Sequence, residues 1–227
     1  MSIIENLTLK QLSEEAKILP EIAHFASRVL ADTYDKFIKI LYQDIDQIIQ
    51  VIQENPELRK NDEEDRLTIE IVGNLRRSGY KASHDTKVGG HTDLLVQHSN
   101  GYKWIGEAKI RRGNSNLWEG FLQLTERYSI CDSNQKDGGM LIYIKVANAN
   151  QVMKDWQDHL EQKNLVEYQK HLCPKNEISF YSKHMHTKSG LLFTVRHMPI
   201  LLYFNPQDSL KDNNSQPKKK YRKKETK

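Results

Sequence analysis

Residues 88–113, VGGHTDLLVQHSNGYKWIGEAKIRRG, constrain the fold of this 227-residue chain more than any other stretch. Thr92 to His98 alternates and is rich in aliphatic residues, the pattern of a half-buried strand. Ser99-Asn100-Gly101 is a turn cluster, and Tyr102 to Ile110 is apolar enough for a second, largely buried strand. A hairpin of this length returns the end of its second strand to the start of its first. Asp93 and Glu107, fourteen positions apart, are therefore expected side by side, with Lys109 on the face of Glu107 because strand side chains alternate. Two carboxylates and an ammonium brought together on buried strands are costly unless something uses them. A divalent metal would neutralise the carboxylates and bind a phosphate, and the lysine would stabilise an attacking hydroxide. The pattern points to chemistry rather than packing.

The same residues carry a resemblance. Gly90-His91-Thr92-Asp93 and Glu107-Ala108-Lys109 are similar to the two halves of the PD-(D/E)XK motif, the active site of the restriction-endonuclease-like nuclease superfamily. The likeness runs from Glu63 to Val146, and Thr92 stands where the motif name has a proline. The resemblance implies an α/β fold with a restriction-endonuclease-like core, a mixed β-sheet flanked by helices. It implies Mg²⁺, with Mn²⁺ as a substitute, held by Asp93, Glu107 and the backbone carbonyl of Ala108. Lys109 would then be the catalytic lysine that assists the attacking water. A glutamate on the preceding helix often reaches such sites; Glu64 fits that position best, with Glu63 and Glu70 as alternatives. Downstream, LQLTERY resembles a helix in which a glutamine and a tyrosine are characteristic, and Gln123 would be that catalytic-site glutamine. Gln123 and Tyr128 are five apart, one more than in the commonest version. Ordinary α-helical geometry turns Gln123 away from the apolar stripe and puts Tyr128 in the core.

Around this centre the chain divides at 57 and 206. Residues 1–57 read as an N-terminal helical arm. Leu7 to Ile18 is amphipathic, and from Ile22 to Ile52 apolar residues recur at helical spacing through Phe37, Ile40, Leu41, Ile45, Ile48 and Ile49. So apolar a stripe needs a cover. Either the nuclease-like domain of residues 58–206 supplies it, or a homo-oligomer or partner protein docks through these helices. Asn61 to Ser78 opens on Asn61-Asp62-Glu63-Glu64, acidic residues suited to a helix N-terminus, and carries the stripe Leu67, Ile71, Val72 and Leu75. Tyr80 to Val88 reads as a first or edge strand, Asn114 to Ile130 as a helix, and Met140 to Val146 as a strand buried on both faces. That strand should lie beside Tyr102–Ile110, with the helix as the crossover. Asn148 to Gln169 reads as a further helix, and Ile178 to Met185 with Leu191 to Phe204 as a closing hairpin. His184, His186 and His197 have no cysteines or fixed fourth ligand beside them, so they read as half-exposed hairpin histidines rather than a zinc site.

Charge decides where nucleic acid can bind. The chain carries +4, but Lys211 to Lys227 holds eight Lys/Arg and two Asp/Glu, which leaves −2 for residues 1–210. A nucleic-acid surface on the body must therefore be local. Arg111 and Arg112, at the mouth of the hairpin, are placed to clamp phosphates, and His91 is a further candidate contact. The tail 207–227, ending PKKKYRKKETK, is too poor in apolar residues to fold alone and is expected to be disordered. Lys218, Lys219 and Lys220 would hold nucleic acid there by counterion release, without sequence preference. The two cysteines match no metal or disulfide spacing and fit a reducing interior. The opening residues show no basic segment followed by an apolar run, and no stretch approaches a membrane span. A cytoplasmic protein without a membrane partner is expected. The sum is a metal-dependent endonuclease acting on nucleic acid, DNA favoured, with low sequence specificity because no recognition helix or zinc module is evident. A compact bacterial nuclease with no methylase in the same chain resembles an anti-phage defence effector or a restriction subunit. The rival expectation is a nuclease-fold nucleic-acid-binding or assembly subunit that is inactive without a partner.

Overall fold

The structure, a computed structural model, describes residues 8–14, 20–87 and 90–206. In chain order, α1 (Leu9–Glu14), α2 (Pro20–Val29), α3 (Tyr34–Gln53) and α4 (Glu64–Arg77) precede β1 (Lys81–Ser83), β2 (Thr86–Lys87), β3 (His91–Thr92), β4 (Leu94–Gln97) and β5 (Lys103–Ile110). After α5 (Asn114–Leu122), a π-helical turn over Gln123–Tyr128 leads to β6 (Asp137–Ile144), α6 (Ala149–Glu161), β7 (Gln169–Leu172), β8 (Phe180–Met185) and β9 (Leu192–Leu201). Seven strands form one mixed sheet in the order β1-β4-β5-β6-β9-β8-β7, and β2 pairs with β3 in a separate ladder.

The strands fall where alternation and apolar runs put them. β4 and β5 make the expected antiparallel hairpin, with Leu94 opposite Gly106. β5 and β6 are parallel, α5 lies in the crossover, and Glu107 sits beside Met140. β9 runs parallel to β6 and antiparallel to β8. β6 is buried from Gly138 to Ile144, as an unbroken apolar central strand requires.

Helices cover both faces. On one, Phe37, Leu41, Ile45 and Ile52 of α3 and Leu67 and Leu75 of α4 meet Trp104, Ala108 and Leu141. On the other, Phe121, Leu124 and Trp156 pack against Ile105, Met140 and Val195. The apolar stripe of α3 thus finds its cover inside the chain. Tyr42 adds a polar tie, its hydroxyl donating to the Gly138 carbonyl at 3.0 Å and accepting from the Trp104 indole at 3.2 Å. Buried Asp44 joins α2 to this layer: both its oxygens accept from Arg28, at 3.1 and 3.2 Å, and the Tyr80 hydroxyl donates to it at 2.6 Å. Ile22, Phe25 and Val29 on α2 stay exposed. No helix among the described residues is long and apolar enough to cross a membrane.

Three local features depart from the periodicity. The strand expected over Thr92–His98 is interrupted at Asp93, which falls between β3 and β4. The helix expected to reach Gln169 ends at Glu161; Asn164 and Glu167 take positive φ, 51° and 56°, and turn the chain into the exposed edge strand β7. The hairpin histidines are not half-exposed, since His184, His186 and His197 are all buried. The Trp156 indole donates to His197 Nδ1 at 3.0 Å, so Nε2 carries the ring proton and donates to Ser182 at 2.8 Å. Burial pulls His184 down to about 4 and His197 well below its ordinary value. Burial lowers His186 as well, so all three rings are packed in the neutral form.

Because α3 fills one face of the sheet, its core side chains should behave as core and not as a detachable arm. Leu41→Ala is expected to cost about 2–5 kcal/mol, read as a lowered urea midpoint with an unchanged slope. A loss within a few tenths of a kcal/mol would mean that α3 is not packed as described.

Candidate active site

β5 runs further than its partner. β4 begins at Leu94, opposite Gly106, so among the described residues no strand pairs with β5 beyond Gly106 on that edge. The N–H groups of Ala108 and Ile110, two residues apart, point to the same side. Each finds a carboxylate. Asp93 Oδ2 accepts from Ala108 N at 2.8 Å, and Glu64 Oε2 accepts from Ile110 N at 2.7 Å. The interruption of the strand at Asp93 is what lets its side chain turn into this position. Glu64 arrives from the first turn of α4, where Thr68 Oγ1 donates to the Glu64 carbonyl at 2.8 Å and lies 3.1 Å from the Tyr143 hydroxyl.

Lys109 collects these groups. Its Nζ is 2.6 Å from Glu107 Oε1, 3.5 Å from Glu64 Oε1 and 4.0 Å from Asp93 Oδ2. Glu107 is 1% exposed, and its second oxygen, Oε2, is enclosed with no hydrogen-bond partner. Burial, then repulsion from Asp93, pushes the Glu107 carboxyl up to about 8 against the pull of Lys109. Asp93 is raised by burial, opposed by the Ala108 N–H and by Lys109. Burial pulls Lys109 down, but Glu107, Glu64 and Asp93 outweigh it and hold the ammonium above its ordinary value. Tyr128 is buried beside them, its hydroxyl raised by burial and by Glu107 and Asp93, and its ring lies where a side chain on Gly90 would stand.

The structure therefore brings together Glu64, Asp93, Glu107 and Lys109, with Ala108 as the backbone anchor of Asp93. Of the glutamates considered, Glu63 is exposed at the start of α4, and Glu70 is held by Arg59 at 2.6 Å. His91 is 69% exposed and paired with Asp85 at 2.6 Å, away from the carboxylates' hydrogen bonds. Arg111 continues the ladder, its N–H donating to the Tyr143 carbonyl at 2.9 Å, and its Nε is enclosed without a partner; Arg112 is exposed. Gln123 opens the π-helical turn, with Oε1 enclosed and unpartnered. Lys218, Lys219 and Lys220 lie outside the described residues.

His84, near the site in sequence as His91 is, is a further neighbour of Asp93. Its Nδ1 lies 2.7 Å from the Asp93 carbonyl oxygen, which only accepts, so that nitrogen carries the proton. Thr68 and Tyr143 were hidden among helical and apolar positions, and only their meeting beneath Glu64 reveals a supporting role. Two serine–histidine contacts elsewhere are not nucleophiles. Ser129 with His186 and Ser182 with His197 are buried, and the Trp156 bond fixes the His197 proton on the nitrogen facing Ser182.

Three carboxylates of this kind are hard oxygen donors, the ligand type of Mg²⁺ and Mn²⁺. As placed they surround an ammonium, and among the described residues no three His, Cys, Asp or Glu side chains converge tightly enough to hold a metal. Comparison with protein-family models, with curated proteins and with solved structures finds no match to this chain.

The raised Glu107 carboxyl has a measurable signature. A folded-state value near 8, above the unfolded value of about 4.3, means that its contribution to stability is present below that lower value and is lost as pH rises through about 8. Glu107→Gln cannot ionise, so its melting temperature relative to wild type is expected to rise between pH 5 and pH 9, by roughly 2–4 °C per kcal/mol. A difference that stays flat or falls across this range would show that Glu107 is not desolvated as described.

Proposed function

We propose that this chain is a metal-dependent endonuclease that hydrolyses phosphodiester bonds in DNA with low sequence specificity. The observation that carries the proposal is the meeting of Glu64, Asp93, Glu107 and Lys109 at the end of β5, with Glu107 Oε2 buried and unpartnered. Asp93, Glu107 and Glu64, which do not converge as placed around Lys109, would hold Mg²⁺ or Mn²⁺ once they turned from the ammonium toward the cation. When bound, such a cation supplies Lewis acidity toward a phosphoryl oxygen and neutralises phosphate charge. Lys109, released from part of its contact with Glu107, would hold an attacking water or the developing negative charge by a charge-assisted hydrogen bond. The Ala108 and Ile110 N–H groups orient the Asp93 and Glu64 carboxylates. Arg111 and Arg112 would take flanking phosphates, and the basic tail would add affinity without sequence preference. A role as an anti-phage defence effector belongs to the same proposal and rests on the family resemblance.

A second reading has its own support. Since Lys109 stands among the carboxylates and no three donors among the described residues converge, a nuclease-fold subunit that stays inactive until a partner rearranges the site accounts for the same geometry.

The test is cleavage of supercoiled plasmid and single-stranded DNA with Mg²⁺ or Mn²⁺, by wild type, Asp93→Ala and Lys109→Ala. Metal-dependent cutting is expected, reduced by roughly 10²–10³-fold in each variant. Cutting that survives both substitutions would overturn the assignment. Absence of cutting by wild type, together with DNA binding that is lost on removal of residues 207–227, would favour the second reading.

A further inference from the structure

α5 lies directly against the two strand residues that form the ion pair. Gly120 presents no side chain to them. A Cβ at this position would stand 2.8 Å from Lys109 Cγ, 2.9 Å from Lys109 Cε and 3.3 Å from Glu107 Cγ. Neither neighbour can give way cheaply, because Glu107 is 1% exposed and the Lys109 ammonium is tied to it at 2.6 Å. The helix cannot lift away either, since Leu117, Phe121 and Leu124 around Gly120 are fully buried. Glycine is a poor residue inside a helix, less stable there than alanine. Gly120 sits within α5 and has no positive φ, so backbone freedom does not call for it.

We propose that Gly120 is a positioning residue. Its missing side chain lets α5 close on the stem of Lys109 and on Glu107, and this contact fixes the ammonium among Glu64, Asp93 and Glu107. The geometry stands on its own, while the consequence for cleavage rests on the nuclease reading.

Gly120→Ala is compared in two backgrounds, wild type and Lys109→Ala, by melting temperature, and the Lys109 peptide is followed by reductive methylation and mass spectrometry. Alanine is expected to raise the melting temperature where Lys109 has been truncated and to lower it, or raise it less, where Lys109 is present, a coupling between neighbours. Lys109 should be methylated several-fold faster in Gly120→Ala than in wild type, because its ammonium is displaced. Plasmid cleavage with Mn²⁺ should fall by roughly 10²-fold, in kcat with KM nearly unchanged. If Gly120→Ala alone fails to fold, folding of the double variant supports the proposal, and failure of both overturns it. An equal effect on melting temperature in both backgrounds with unchanged methylation also overturns it. Should wild type not cleave, the nuclease reading fails, while the melting and methylation results still decide the role of Gly120.

Discussion

The candidate site depends on two backbone N–H groups that no strand pairs. A strand that outruns its neighbour inside a folded domain exposes donors, and a donor left buried without an acceptor costs about as much as a lost hydrogen bond. β5 outruns β4 by the segment that carries Glu107, Ala108, Lys109 and Ile110. The fold satisfies Ala108 and Ile110 with the carboxylates of Asp93 and Glu64. Those acids are thereby aimed. Glu64 spends one oxygen on the backbone and turns the other toward Lys109.

That requirement explains features which otherwise look like irregularities. Asp93 cannot remain in the ladder and also reach the edge of β5, so the chain breaks there and its upstream part pairs with β2. His84, just before β2, holds the Asp93 carbonyl that the ladder gives up. α4 must begin level with the end of β5 for Glu64 to arrive, and Lys145 fixes the turn before it through the carbonyls of Lys60 and Asp62. α3 covers the sheet on the same side as α4.

Much of this was legible in the sequence because side-chain period and burial agree there. The hairpin, the parallel β6, the closing pair β8 and β9 and the stripe of α3 all follow from runs whose alternation or 3.6-residue spacing matches the faces they bury. Glu107 and Lys109 on one face follow from the same alternation. What stayed hidden lies where a local rule yields to a tertiary one. The acceptor role of Glu64 is invisible until the length of β4 is known, which is why Glu63 and Glu70 competed with it. The interval from Gln123 to Tyr128 is one residue longer than in the resembled helix, and the chain forms a π-helical turn over those residues. The histidines of β8 and β9 looked polar because a sequence cannot say that Trp156 and Ser182 will satisfy a neutral ring.

The charges at the end of β5 do not balance. Three carboxylates face one ammonium, and the largest share of the burial falls on Glu107, whose second oxygen has no donor. In a low-dielectric pocket such an excess is relieved by taking up protons or by admitting another positive charge. The Glu107 carboxyl, pushed up to about 8 by burial and then by Asp93, is the first response. A hard dication would be the second, and it would serve the same oxygens without protonating them. Proton and cation are alternatives at Glu107, so uptake of such a cation below about pH 8 would release a proton there. On the proposed function, a cation sharing the charge of Glu107 would leave Lys109 free to hydrogen-bond the reacting phosphate or water.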